Sequence, residues 1–111
     1  MVIAVDAMGG DFAPSEIVKG AALGSKLHGV DVILVGDEAR IKSCLPPESA
    51  RSSSVMIRHA SEMIAMDEHA SAIRTRKDAS VEVAASLVKE GQAHAMVCAG
   101  NTAAAMAVAA L

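Results

Sequence analysis

The chain has 111 residues, of which 52% are hydrophobic and 21% are charged, with a formal net charge of −3 at pH 7. This composition is typical of one modest globular domain and excludes an intrinsically disordered chain. The negative charge and the single aromatic residue, Phe12, argue against nucleic-acid binding, which uses basic surfaces and stacking aromatic rings.

Targeting and redox features of the sequence indicate a cytoplasmic protein. Cys44 and Cys98 form neither a metal-binding spacing nor a CxxC pair, so we expect two reduced thiols. The N-terminus lacks a basic region followed by an apolar segment, and no signal peptide is predicted. The apolar stretch from Ala99 to Leu111 is shorter than the ~20 residues that a membrane-spanning helix needs.

Strands and helices alternate in the first half of the chain. The apolar, mostly β-branched run from Val2 to Val5 predicts a buried strand. A helix with Ser15 as its N-cap follows and ends near Gly29. Residues 30–35 predict a second strand, and after it we expect a short helix that ends at Pro46 and Pro47.

The same alternation continues through the middle of the chain. Residues 49–54 are polar and predict a loop, and the apolar residues in 55–58 predict a third strand. The next helix has apolar residues at i, i+3, i+4 and i+7, with Asp78 or Ser80 as its N-cap. We expect this helix to end at Gly91.

The last two predicted elements are a strand over 95–98 and a helix capped by Asn101 or Thr102. Residues 103–111 are apolar on every side, which is typical of a helix buried between layers. The strand–helix order predicts an α/β fold with a parallel sheet and right-handed crossovers. We interpret residues 1–111 as the N-terminal part of a single α/β domain of a longer chain.

The first candidate site segment runs from Asp6 to Asp11 and follows the first strand. In α/β sheets, ligands bind beyond the carboxyl ends of the strands. Gly9 and Gly10 allow a ligand to approach the backbone, whose free N–H groups can bind an anion. A tight turn with Asp11 as a turn residue is the alternative interpretation. Neither a dinucleotide-binding GxGxxG motif nor a Walker P-loop is present.

The second candidate segment is the predicted strand-to-helix junction at Gly100, Asn101 and Thr102. The N–H groups of a first helical turn and the Thr102 hydroxyl can bind a phosphate. Ordinary N-capping by Asn101 or Thr102 is the alternative. Two such junctions on one sheet edge support each other as a small-molecule site.

The third candidate is a cationic cluster of Arg74, Arg76 and Lys77, which can bind a phosphate or an acidic partner surface. A solvated charged face is the alternative interpretation. The four histidines do not cluster, so we interpret them as structural or exposed, and no metal site is expected.

These segments, taken in order, resemble the phosphate acyltransferase PlsX family. The resemblance includes IAVDAMGGD at residues 3–11, LVGD at 34–37 and IR-x-RKD-x-S at 73–80. It continues with LVKEG at 87–91 and AGNT at 99–102, and so covers essentially the whole chain. This match corresponds to about the first third of a family member.

The resemblance implies a three-layer α/β/α Rossmann-like fold similar to isopropylmalate dehydrogenase and phosphotransacetylase. It also implies an enzyme of bacterial phospholipid synthesis, which converts acyl-[acyl-carrier-protein] and inorganic phosphate to acyl phosphate without a cofactor. Family members are usually homodimers that associate peripherally with the inner face of the membrane. The fragment alone is expected to be inactive. A non-catalytic phosphate- or nucleotide-binding module, or an inert fragment of the enzyme, is the alternative.

Within this resemblance, we assign Asn101 and Asp6 as candidate catalytic residues. The candidate phosphate- and substrate-binding residues are Gly9, Gly10, Asp11, Arg74, Lys77, Gly100 and Thr102. The chain departs from the usual family pattern at two positions near the second segment. Cys98 replaces a common serine and Ala103 replaces a common glycine, which adds a methyl group where a ligand approaches.

Overall fold

A parallel sheet forms the centre of the computed structural model, which describes residues 1–8, 13–50, 52–61 and 79–99. Within these residues the sheet has four strands in the order β3-β2-β1-β4, and all neighbouring strands are parallel. The sequence prediction of an α/β fold with a parallel sheet is therefore confirmed. The strands are β1 (Val2–Asp6), β2 (Asp31–Gly36), β3 (Val55–His59) and β4 (Ala95–Cys98).

Helices pack on both faces of this sheet. On one face, Val5 and Leu34 form a buried cluster with Val18 and Ile41, which lie on two helices. On the other face, Ala4 and Val35 pack with residues of a third helix. Successive residues of a strand point to opposite faces, so each strand contributes to both clusters. The helices are α1 (Ser15–His28), α2 (Glu38–Cys44), α3 (Pro47–Ala50) and α4 (Ser80–Lys89).

Two of the predicted N-caps are wrong by one residue. Pro14 already has helical backbone angles (φ −87°, ψ −10°), so Ser15 lies inside the helix rather than at its extended flanking position. Before α4, the extended flanking position is Ala79 (φ −64°, ψ 142°), and Ser80 is a buried first-turn residue. The alternative cap, Asp78, lies outside the described residues.

Other helix ends follow from local chemistry. Gly29 ends α1 in the left-handed conformation (φ 66°), as predicted, and its N–H donates to the Ser25 carbonyl at 3.0 Å. Asp37 begins α2, because its carboxylate accepts two backbone N–H groups of the first turn. The predicted loop over 49–54 overlaps α3, a single turn with Pro47 at its favourable first position. The predicted final helix lies outside the described residues.

Among the described helices, none combines the length and the apolar character that crossing a bilayer requires.

Candidate functional site

The carboxyl ends of β1 and β4 lie side by side in the sheet. The parallel register between these two strands aligns Asp6 with Cys98. On its other side, β1 pairs with β2, and Asp6 is aligned with Val35. Loops that follow neighbouring parallel strands leave the sheet at one edge, where α/β proteins bind their ligands. The predicted site segments after Asp6 and after Cys98 therefore start from adjacent strands.

The Asp6 side chain is buried at this edge, with only 4% of its surface exposed. Its Oδ1 accepts the Met8 backbone N–H at 3.1 Å, and its Oδ2 accepts the Cys98 S–H at a 3.6 Å donor–acceptor distance. The next residue, Ala7, donates its N–H to the Val35 carbonyl at 2.9 Å. The start of the loop after β1 is thus held to both neighbouring strands.

Met8 packs against the end of β2, where Gly36 leaves space for it. A Cβ placed on Gly36 would lie 2.5 Å from Met8 Cγ, 2.9 Å from Met8 Sδ and 3.3 Å from Ile41 Cδ1. Met8 itself is 5% exposed. The close approach of the Met8 side chain therefore requires a residue without a Cβ at position 36.

We expect Gly36→Ala to lower the free energy of unfolding by about 1–3 kcal/mol, the usual cost of overpacking a core. The methionine side chain is flexible and can move away from the new methyl group. Met8→Ala removes the atoms that the new methyl group would meet, so we expect a favourable coupling when it is combined with Gly36→Ala. Urea unfolding of the wild type, both single variants and the double variant measures this coupling.

The control for this cycle is Gly20→Ala in α1. A Cβ on Gly20 meets no heavy atom within 4 Å. Alanine is favoured over glycine inside a helix by roughly 0.5–1 kcal/mol, so this variant should be neutral or more stable. Equal effects of Gly36→Ala and Gly20→Ala on the unfolding free energy would show that Met8 does not restrict position 36.

The side chains of His59 and His94 make structural contacts. His59 Nδ1 accepts the Glu38 backbone N–H at 3.2 Å, and His94 Nδ1 accepts the Val2 backbone N–H at 3.0 Å. The structural interpretation of these two histidines is therefore confirmed.

Lys42 Nζ lies 2.8 Å from the Glu38 carboxylate, and the hydrogen bond and positive charge of Lys42 lower the pKa of Glu38.

Two grooves among the described residues lie away from Asp6 and Cys98. One, of about 450 Å³, includes Gly29, just before β2, and Ser54, which directly precedes β3, at the opposite edge of the sheet. A groove of about 500 Å³ runs between α1 and the sheet, past Ile3, Val5 and Val97. Its lining is almost entirely apolar, which makes it unsuitable for binding phosphate.

Of the predicted site residues, Asp6 is the one that lies within the described part of the chain. The structure places it at the predicted sheet edge, and it does not test its proposed catalytic role. The other assignments stay predictions, because their residues lie outside the described ranges: Gly9, Gly10, Asp11, Arg74, Lys77, Gly100, Asn101 and Thr102.

Sequence reasoning missed the contact between Cys98 and Asp6. Cys98 was interpreted only as a reduced thiol and as a departure from a family pattern. The sequence does carry a signal for this contact. Asp6 and Cys98 each end an apolar strand, and one candidate site segment begins at Asp6 while the other follows shortly after Cys98. In doubly wound sheets the first strand can pair with the strand that follows the crossover, which would have placed them together.

Comparison with known proteins matches the whole chain, residues 1–111, to a family model described as "Fatty acid synthesis protein". A phosphate acyltransferase of Desulfitobacterium hafniense (strain DSM 10664 / DCB-2) is 54% identical over 108 residues, which cover 96% of this chain and 32% of the relative. Phosphate acyltransferases of Pelotomaculum thermopropionicum and Gloeothece citriformis are 50% and 54% identical over 110 residues, covering 98% of this chain and 32% and 31% of those proteins. The chain thus spans about a third of the length of these relatives.

Proposed function

This chain belongs to the fatty acid synthesis protein (PlsX) family, and on that premise we propose that the full-length protein is an acyl-[acyl-carrier-protein]:phosphate acyltransferase. Its relatives are named phosphate acyltransferases. The observation that carries the proposal is the parallel pairing of β1 with β4. Because of this pairing, the two candidate anion-binding segments begin at the same edge of the sheet. Such an edge suits a reaction between two bound substrates.

The proposed reaction needs no redox step. A phosphate oxygen attacks the thioester carbonyl carbon of acyl-[acyl-carrier-protein], a C–O bond forms, and the C–S bond breaks. The thiolate leaves and takes up the proton that hydrogen phosphate loses, so the products are acyl phosphate and the carrier-protein thiol. Since phosphate is itself an anionic nucleophile, the protein must mainly hold it beside the thioester and stabilise the developing oxyanion.

In this proposal the segment after β4 binds phosphate. First-turn N–H groups near Gly100 and the Thr102 hydroxyl would donate to the phosphate oxygens. Asn101 would orient phosphate or the thioester carbonyl. Gly9 and Gly10, after β1, would line the same cleft, because glycine allows a substrate to approach the backbone closely.

The cationic cluster and the partners complete the proposal. Arg74 and Lys77 would neutralise phosphate or contact the acidic surface of acyl carrier protein. Asp11 would help to shape the loop that lines the cleft. We also propose that the full-length protein is a homodimer that works in the cytoplasm and associates peripherally with the membrane that receives its lipid products.

The test is a reaction of the full-length protein with acyl-[acyl-carrier-protein] and inorganic phosphate. We expect release of carrier-protein thiol that depends on phosphate, together with an acyl product that hydroxylamine converts to a hydroxamate. Phosphate binding without thiol release would instead identify a non-catalytic binding module. The isolated 111-residue chain, assayed in parallel, should release no thiol.

A further inference from the structure

We propose that Asp6 and Cys98 form a positioning pair that sets the spacing between the two loops of the proposed phosphate and thioester site. This inference rests on the proposed function for its role in catalysis. Cys98 thereby gains a functional role. Asp6 acts by holding the two strand ends, without direct contact with substrate.

The ends of β1 and β4 lie side by side in the sheet. Asp6 and Cys98 are the last residues of β1 and β4, and they are aligned in the parallel register. Their side chains are joined by the hydrogen bond from Cys98 Sγ to Asp6 Oδ2. This contact joins a side chain at the end of one strand to a side chain at the end of the other.

The other oxygen of the Asp6 carboxylate accepts a second hydrogen bond. Asp6 Oδ1 accepts the N–H of Met8, which is the last described residue before Gly9. One buried carboxylate therefore connects the loop after β1 to the strand that leads into Gly100. A shift of β4 relative to β1 would break one of these two hydrogen bonds.

Removing the Cys98 thiol would take a donor away from the buried Asp6 carboxylate. A buried carboxylate is stabilised only while donors satisfy it, and the described residues place no cationic side chain in a salt bridge with Asp6. Loss of the Cys98 S–H leaves one oxygen without that donor, and the carboxylate is then expected to turn toward another donor or water. Either movement disturbs the hydrogen bond from the Met8 N–H to Asp6 Oδ1.

The role proposed for Cys98 differs from that of a thiol nucleophile. The Cys98 S–H donates to the Asp6 carboxylate of the neighbouring strand end, so its assigned role is this hydrogen bond rather than attack on the thioester. Cys98 is therefore assigned a structural hydrogen bond at the site, and a hydroxyl at the same position is expected to serve equally well.

The experiment compares Cys98→Ala with Cys98→Ser in the full-length protein, with Cys44→Ala as the matched control. Cys44 is the second cysteine among the described residues, and it lies in α2 rather than at the end of β4. We expect Cys98→Ala to raise the KM for inorganic phosphate about tenfold, since a hydrogen bond to a charged group is involved. Cys98→Ser and Cys44→Ala should change this KM less than about threefold.

A second readout does not require turnover. The rise in Tm caused by inorganic phosphate should be kept in the wild type, Cys98→Ser and Cys44→Ala, and lost in Cys98→Ala. If the wild type releases no thiol but shows this pattern of Tm shifts, the proposed reaction fails and the positioning pair stands. If Cys98→Ala keeps both the wild-type KM and the full phosphate-induced Tm shift, the positioning pair is wrong, whatever its effect on Tm without phosphate.

Discussion

Replacing both Asn101 and Thr102 with alanine is expected to lower kcat of the full-length protein by about 100-fold or more. Removing one preorganised donor to a developing oxyanion costs about 10²–10³ in rate, and these two side chains are the proposed polar groups at the phosphate position. Under the proposed function, the KM for acyl-[acyl-carrier-protein] should change little, because the carrier protein itself would not contact these two side chains. Initial rates of phosphate-dependent thiol release measure both constants.

Ser49→Ala is the control for this pair of substitutions. Ser49 lines the polar groove at the opposite edge of the sheet, so its hydroxyl has no role in the proposed reaction. Its kcat should equal that of the wild type. If the Asn101 and Thr102 variant also has wild-type kinetics, these residues do not belong to the site and the phosphate must bind elsewhere.

The two central strands, β1 and β2, could be predicted from the sequence because helices cover both of their faces. A central strand between two helical layers has apolar residues at every position, and the run from Val2 to Val5 has this character. Ala4 and Val5 are both buried in the structure, and Val5 packs with residues of α1 and α2. The predicted bounds of the last strand, 95–98, match the structure, and the strand lies between His94 and the Ala99-Gly100 pair.

The helix starts were harder to predict, because capping preferences favour a serine wherever one is present. In α1 and α4 the chain instead begins the helix without a side-chain hydrogen bond at the cap, after Pro14 and Ala79. Ser80 is then buried under the first turn of α4. Here tertiary packing outweighs a cap that contributes only about 1 kcal/mol.

For the candidate site, the sequence predicts the edge but not the contacts. The position of Asp6 at the end of an apolar strand is local information, and the structure places the residue at that strand end. Its hydrogen bond with Cys98 joins residues 92 positions apart and depends on the pairing and register of β1 with β4. A one-residue change of register would turn Cys98 to the other face of the sheet, and no local pattern specifies that register.

The proposed positioning role of Asp6 predicts a large difference between Asp6→Ala and Asp6→Asn. Asparagine keeps an oxygen that can accept the Met8 N–H, whereas alanine leaves this buried N–H unsatisfied. We expect Asp6→Ala to lower kcat about 100-fold and the free energy of unfolding by about 1–3 kcal/mol. Asp6→Asn should stay within about tenfold of the wild-type kcat. Thiol-release kinetics and urea unfolding measure these effects.

The same comparison tests the assignment of Asp6 as a catalytic residue. If the carboxylate removed a proton during the reaction, asparagine would fail as completely as alanine, with a loss of about 10²–10⁴ and a changed pH–rate profile. Under the positioning role, Asp6→Asn keeps the wild-type pH–rate profile, because no proton passes through the side chain. The burial of Asp6 and the engagement of both its oxygens by protein donors favour this second outcome. A carboxylate in that arrangement holds two strand ends together, and in the proposed reaction the phosphate itself would be the nucleophile.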